Sequence, residues 1–216
     1  MKYDLIIFDW DGTLADSTGR IVDSMRRAAA ECGLPVVDDA EIQNIIGLGL
    51  PEAIRTVWPM VSSDQMEPMR EAYARYFVSD SDVQMGLFDG ADDLLESLPK
   101  YRKIAVATGK SRKGLNRILA DLSLGGRFDT TRCADETASK PDPLMLQEIL
   151  AELNVDVKAA LMVGDTTYDL DMARSIGMDS IGMSHGAHEE DRLRACGVLD
   201  ICHSIHELSN WIENNG

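Results

Sequence analysis

From residue 90 onward the chain alternates between short apolar runs and amphipathic segments, and this alternation constrains the fold more than any other feature. Continuously apolar strands that alternate with helices are typical of a parallel sheet covered by helices on both faces. The apolar run at 5–8 predicts a further strand of the same sheet. We therefore expect an α/β fold with a doubly wound parallel sheet. The later strands are predicted at 103–108, 128–133, 159–163 and 179–183, and the helices at 92–98, 112–122, 144–153, 168–176 and 205–214.

Residues 16–85 have a different pattern, because every periodic segment in them predicts a helix. These helices are predicted at 17–32, 39–46, 51–58 and 66–77. The simplest architecture is an all-helical block at 16–85 inserted after the first strand of an α/β core that comprises 1–15 and 86–216. The segments at 15–18 and 83–86 would then join the two parts as a hinge.

The formal net charge of −16 limits the partners of this chain. Nucleic acids and anionic membranes bind to positive surfaces, so we expect neither as a partner. The N-terminus does not fit a secretory signal and no stretch approaches transmembrane length, so we expect a cytoplasmic protein. The four cysteines are widely spaced and form no CxxC pair, which predicts neither a zinc site nor a disulfide framework. The sequence leaves open whether the chain is a monomer or a dimer.

Two carboxylates one residue apart, Asp9 and Asp11, follow the first predicted strand. Side chains alternate along a strand, so both can point the same way at its carboxyl end, where open α/β sheets bind their ligands. Carboxylates this close repel each other, and a cation would relieve the repulsion. An ordinary acidic turn gives the same residues, so this segment alone leaves both interpretations open.

Polar groups also stand at three later positions where such a sheet would bind a ligand. Thr108 and Gly109 end a strand at the start of a helix, which suits a phosphate oxygen and equally an ordinary helix cap. Lys140 stands just before a helix, where a solvated surface lysine is the alternative. Asp165 ends another strand, and Asp169 follows four residues later, so one helical turn can bring it to the same crevice.

Four segments, taken in chain order, resemble the four motifs of the haloacid dehalogenase-like hydrolase superfamily. They are DWDGT at 9–13, Thr108-Gly109, Lys140-Pro141 and GDTTYD at 164–169. The helical block resembles the helical cap of its phosphoglycolate phosphatase-like subgroup. The resemblance covers essentially the whole chain. It implies a phosphoric monoester hydrolase with a Rossmann-like core, Mg²⁺ as cofactor and a small phosphorylated metabolite as substrate. Phosphoglycolate is one candidate.

The resemblance also implies a role for each motif residue. Asp9 would attack phosphorus and form an aspartyl-phosphate, and Asp11 would give a proton to the leaving group and take one from the attacking water. Lys140 is implied as a third catalytic residue, and together with Thr108 and Gly109 it would bind the phosphate. The Mg²⁺ site is implied to comprise Asp9, the main-chain carbonyl of Asp11, and Asp165. Asp169 completes this metal site by ordering the water shell of the ion, or it pairs with Lys140 instead.

Differences from neighbouring subfamilies narrow the implied reaction. Carbon–halogen dehalogenases lack an aspartate at the position of Asp11, so its presence favours phosphoryl transfer. Phosphonatases use a cap lysine and sugar phosphomutases a cap histidine, yet residues 16–85 contain neither. A sugar phosphomutase, a pyrophosphatase and a non-catalytic phosphate-binding relative remain as alternatives. A phospho-acceptor receiver domain is a further one, although such domains are shorter and lack a cap.

Outside the motifs, Arg20 and the histidines are further candidates for a functional role. Arg20 lies in the first turn of the predicted cap and is predicted to bind a substrate carboxylate, with a solvated helix charge as the alternative. The histidines all lie at or beyond residue 185 and show no metal-ligand spacing. We therefore expect them on the surface or in loops.

Overall fold

A computed structural model describes residues 2–80 and 85–216 of the chain. Its strands are β1 (Leu5–Phe8), β2 (Ala15–Asp16), β3 (Gly86–Leu87), β4 (Lys103–Thr108), β5 (Thr130–Cys133), β6 (Ala160–Gly164), β7 (Asp179–Met183) and β8 (Asp200–Cys202). Its α-helices are α1 (Thr18–Glu31), α2 (Asp39–Gln43), α3 (Leu50–Val57), α4 (Ser63–Arg75), α5 (Ala91–Ser97), α6 (Arg112–Asp121), α7 (Leu144–Leu153), α8 (Thr167–Ser175), α9 (Glu190–Ala195) and α10 (Ile205–Asn215). A π-helical turn spans Tyr76–Asp80, and short 3₁₀ turns span Leu98–Lys100 and Val157–Ala159.

Six parallel strands form the main sheet, in the order β5-β4-β1-β6-β7-β8. The predicted α/β class and parallel sheet are confirmed. β1 pairs with β4 on one side and with β6 on the other. The strand order therefore reverses beside β1, and ligands of open α/β sheets bind at the carboxyl ends of the strands at such a point.

The side chains of β1 alternate between two hydrophobic cores. Ile6 and Phe8 belong to the core on one face of the sheet, and Leu5 and Ile7 to the core on the other. All four are completely buried. Burial on both faces explains why the strand is a continuous apolar run rather than an alternating one.

Helices α1–α4 enclose a third apolar cluster of their own, to which Met25, Ile54 and Met69 contribute. The chain enters this block through β2 and leaves it through β3, which pair with each other as a short antiparallel ribbon. The division into two domains at these points stays a prediction. In the predicted hinge segment at 83–86, residues 83 and 84 lie outside the described residues.

The sequence pattern did not predict α9 and β8. β8 has three residues and α9 has six, so neither is long enough to show a period. The strand predicted at 128–133 begins later, at Thr130. Among the residues that the structure describes, none of the helices has both the length and the apolar character that crossing a membrane would require.

Candidate active site

The ends of three central strands bring predicted site residues to one edge of the sheet. Asp9 and Asp11 follow β1, Thr108 ends β4 and Asp165 follows β6. All four are buried, and Thr108 and Asp165 are completely inaccessible. They lie in the crevice beside β1 because parallel strands present their carboxyl ends at the same edge.

Lys140 lies at the centre of a buried ion cluster. Its Nζ is 2.5 Å from Asp9 Oδ1 and 2.6 Å from Asp169 Oδ1. Asp169 is fixed in the first turn of α8, where its Oδ2 accepts a hydrogen bond from the hydroxyl of Thr166 at 2.6 Å. One buried ammonium therefore joins the end of β1 to the start of α8, and removing it would leave two buried carboxylates without a counter-charge.

Hydrogen bonds from two loops hold the carboxylate of Asp165. The hydroxyl of Thr13 donates to Oδ1 and the main-chain N–H of Ala187 donates to Oδ2, both at 2.7 Å. A Cβ on Gly12 or on Gly186 would collide with this carboxylate, and Gly12 also has a positive φ of +81°. Glycine at these two positions lets both loops approach Asp165 closely.

Burial is the largest influence on the ionisation of this cluster. It raises the pKa of Asp9 well above its usual range, and the charge of Lys140 opposes this only in part. Burial and the nearby charge of Asp169 raise the pKa of Asp165 to about 7. Burial alone would lower the pKa of Lys140, but the carboxylates of Asp169 and Asp9 outweigh it and raise that pKa. Lys140 is therefore charged at neutral pH, and among the described residues it is the cation that pairs with Asp9 and Asp169.

The donor set of this cluster fits a hard metal ion. Asp9, Asp165 and Asp169 each offer a carboxylate oxygen, and these oxygens lie within 4.8 Å of one another. Among the described residues, no group donates a hydrogen bond to Asp9 Oδ2, although that oxygen is buried. Oxygen-only ligands and uncompensated negative charge suit Mg²⁺. The residues present therefore match the cation that the resemblance implies.

The carboxylate of Asp11 has two partners that the sequence reasoning missed. Its Oδ1 accepts a hydrogen bond from the hydroxyl of Ser17 at 2.6 Å and lies 2.9 Å from Nζ of Lys110. Lys110 also lies above the ring of Phe77, 4.6 Å from its centroid. The sequence feature that could have indicated the contact of Lys110 with Asp11 is its position, two residues after Thr108 at a predicted strand end.

A cavity of about 580 Å³ lies beside Asp11, between the core and helices α1–α4. Gly109 lines it on the side of the sheet, and the loop before α3 lines the opposite side with Gly47 and Leu48. A Cβ on Gly109 would lie 2.5 Å from the carbonyl oxygens of both loop residues. The loop therefore packs directly on the main chain at the predicted phosphate-binding segment.

The structure does not bring Arg20 to this site. Its Nε donates a hydrogen bond to the main-chain carbonyl of Phe77 at 2.7 Å, and its guanidinium lies 5.7 Å from the centroid of the same ring. Arg20 is not among the described residues that line the cavity. Its predicted contact with a substrate carboxylate therefore gains no support from the geometry.

His188 links the loop after β7 to the block of helices α1–α4. It lies in a loop, as expected, but only 2% of its surface is exposed. Its Nδ1 accepts a hydrogen bond from the N–H of Thr167 at 3.0 Å, so its Nε2 carries the proton and donates to the carbonyl of Asn44 at 3.0 Å. The hydroxyl of Tyr168 donates to the same carbonyl, also at 3.0 Å.

Comparisons with known proteins show the family of this chain. The sequence model of a family described as haloacid dehalogenase-like hydrolase matches residues 6–183. The chain is 31% identical to an N-acetylmuramic acid 6-phosphate phosphatase of Pseudomonas putida over 99% of this chain and 98% of that protein. It is 26% identical to a phosphoglycolate phosphatase of Rhodospirillum rubrum over 96% and 90% of the two chains. The crystal structure of a hydrolase from Pseudomonas syringae superposes with a TM-score of 0.89 at 24% identity, covering 98% of each chain.

Proposed function

The chain belongs to the haloacid dehalogenase-like hydrolase family, and we propose that it is a Mg²⁺-dependent phosphatase that acts through an aspartyl-phosphate on Asp9. The observation that carries the proposal is the buried group of Asp9, Asp165 and Asp169 around Lys140, which combines a metal-type donor set with an unpartnered carboxylate oxygen. Relatives named as phosphatases of N-acetylmuramic acid 6-phosphate and phosphoglycolate support the reaction class. The substrate is a small phosphorylated metabolite.

In this proposal Asp9 is the nucleophile. Its Oδ2, which accepts no hydrogen bond from the described residues, attacks phosphorus, and the bond from phosphorus to the ester oxygen breaks. Lys140 holds the other oxygen of the same carboxylate and so orients it. A water molecule then attacks phosphorus, the bond to Asp9 breaks, and inorganic phosphate leaves. Lys140 also offsets negative charge on the transferring group.

Asp11 is the acid and base of the proposed reaction. It gives a proton to the departing ester oxygen and then takes one from the attacking water. The contacts with Ser17 and Lys110 position its carboxylate at the edge of the cavity. The hydroxyl of Thr108 and the main-chain N–H of Gly109 bind oxygens of the phosphate. These residues act on the phosphate and the leaving oxygen, so the rest of the substrate occupies the cavity.

Four residues would hold Mg²⁺. They are Asp9 and Asp165 through their carboxylates, Asp11 through its main-chain carbonyl, and the neighbouring Asp169. Each pair of like unit charges about 4 Å apart costs about 4 kcal/mol at an effective dielectric of about 20, so a phosphate dianion would be repelled by these carboxylates. When bound, Mg²⁺ supplies the positive charge that offsets this repulsion.

Phosphate release from p-nitrophenyl phosphate and from a panel of phosphorylated metabolites tests the proposal. We expect release that requires Mg²⁺ and is abolished by Asp9→Asn. Asp4→Asn is a matched control, because Asp4 is exposed and lies at the opposite end of the same strand. In the wild type, rapid denaturation during turnover should trap one phosphoryl group on the peptide that contains Asp9. Activity retained in Asp9→Asn would refute the assignment of the nucleophile.

A further inference from the structure

The cavity beside Asp11 has a basic wall that belongs to α6. Lys113 and Arg117 line this wall. They lie four residues apart, so their side chains share one face of the helix. The chain runs from β4 through Gly109 directly into α6. The position of the basic wall relative to the proposed phosphate site is therefore set within the core and does not depend on helices α1–α4.

These two cations differ from the other cations around the cavity. Lys110 is paired with a carboxylate, as described above, and Arg70 lies 2.7 Å from Glu67. Among the described residues, neither Lys113 nor Arg117 has a carboxylate oxygen within 4.0 Å or a hydrogen-bond partner. Two unpartnered cations on a concave surface are a recognition element for an anion.

Charge is separated across the cavity. Glu52 on α3 and Glu71 on α4 also line the cavity, so these carboxylates lie on different helices from the basic wall. On the core side the carboxylate of Asp135 already accepts a hydrogen bond from the main-chain N–H of Arg112 at 2.8 Å. An anionic group that enters the cavity is therefore attracted to α6 and repelled by α3 and α4.

Much of the remaining lining is apolar and comes from α1, α4, the π-helical turn after α4, and the loop that leads into α3. Ile21, Met25, Tyr73 and Phe77 line this part of the cavity, and the rings of Tyr73 and Phe77 stack with their centroids 5.7 Å apart. Burial raises the pKa of Tyr73, so its hydroxyl stays neutral. This lining matches the carbon skeleton of an organic leaving group, with the basic wall on one side of it.

We propose that Lys113 and Arg117 bind a second anionic group of the substrate, carried by the leaving group. This inference rests on the proposed phosphatase function and adds the chemical class of the substrate. The second group is a carboxylate or a second phosphate, because both accept hydrogen bonds from ammonium and guanidinium groups. This proposal assigns recognition of that anion to α6 of the core.

Matched pairs of substrates test this proposal. 3-Phosphoglycerate and glycerol 3-phosphate differ by a carboxylate, and fructose 1,6-bisphosphate and fructose 6-phosphate differ by a second phosphate. We expect the wild type to prefer one or both of the doubly anionic substrates in kcat/KM. The Lys113→Met, Arg117→Met double variant should lower that preference by about 10- to 100-fold. Arg117→Lys should retain part of it, because it keeps the charge. The pair that shows the effect identifies the anion.

Arg70→Met is the control, because Arg70 lines the same cavity but is already paired with Glu67. It should keep the preference of the wild type. Equal losses of kcat/KM on both members of a pair in the double variant would overturn the inference. It would also be overturned if Glu71→Gln lowered the preference as much as the double variant does, because that result would indicate ion pairing across the cavity. A wild type without any preference would also overturn it. Absence of phosphate release from p-nitrophenyl phosphate would instead refute the proposed function.

Discussion

Replacing Asp165 by Asn should change how the stability of the metal-free protein depends on pH. The side chain of Asp165 is completely buried, and burial together with the charge of Asp169 raises its pKa to about 7. In the unfolded chain an aspartate titrates at about 3.9. The folded protein therefore binds a proton at Asp165 that the unfolded chain releases over the intervening pH range. Asn carries no charge and removes this difference.

Proton linkage determines whether the contribution of Asp165 to stability rises or falls with pH. A carboxyl group with a higher pKa in the folded state contributes stability that is fully present below about pH 4, the unfolded pKa, and is lost as the pH rises through the folded pKa near 7. Three pH units correspond to about 4 kcal/mol in total. Between pH 5 and pH 8 the loss is about 2 to 3 kcal/mol. For a chain of this length that is a change in Tm of about 5 to 10 °C.

Thermal unfolding in EDTA from pH 5 to pH 8, followed by circular dichroism, measures the effect. The quantity to compare is the difference between wild type and Asp165→Asn, because burial lowers the pKa of His185 and His188 in both proteins and makes them more stable as the pH rises. We expect the wild type to lose about 2 to 3 kcal/mol relative to the variant over this range. Asp4→Asn, which alters an exposed aspartate, should track the wild type.

Added Mg²⁺ provides a second arm of the same experiment. A cation that binds ionised carboxylates competes with protons, so Mg²⁺ should raise the Tm of the wild type more at pH 8 than at pH 5. It should raise the Tm of Asp165→Asn little at either pH. A stability difference between wild type and variant that does not change with pH would refute the reasoning. An equal effect of Mg²⁺ at both pH values would refute the metal assignment.

Three further predictions concern single side chains. Asp11→Asn should slow an alkyl phosphate about 10²- to 10⁴-fold but a nitrophenyl ester less, because nitrophenolate leaves without a proton; steady-state kinetics that show equal losses would contradict the role of acid. His188→Ala should lower the free energy of unfolding by about 1 to 3 kcal/mol and speed hydrogen exchange at the amide of Thr167, and unchanged exchange would argue against the linking role of this imidazole. Arg20→Ala should remove the hydrogen bond to Phe77 and reduce kcat/KM for anionic and neutral esters alike, whereas a loss confined to a phosphorylated acid would favour a contact with substrate.

Strand and helix positions in the core could be predicted because burial leaves a strong pattern in the sequence. The helix at Leu144–Leu153 and the strand at Asp179–Met183 have the predicted bounds. The short elements Glu190–Ala195 and Asp200–Cys202 were missed, since a few residues show no period and are held by tertiary packing. The pairing of β2 with β3 was also missed, because it joins segments about 70 residues apart.

The sequence by itself determined which polar residues stand at strand ends. Asp9, Thr108 and Asp165 follow apolar runs. Parallel pairing of the strand backbones brings the carboxyl ends of these strands to one edge of the sheet, independently of side-chain conformation. Only the tertiary structure decided the partners of these residues. Lys140 reaches Asp9 across 131 residues of chain, and local periodicity contains no information about contacts of that kind. Side-chain direction and burial set such contacts, and both depend on how the whole chain packs.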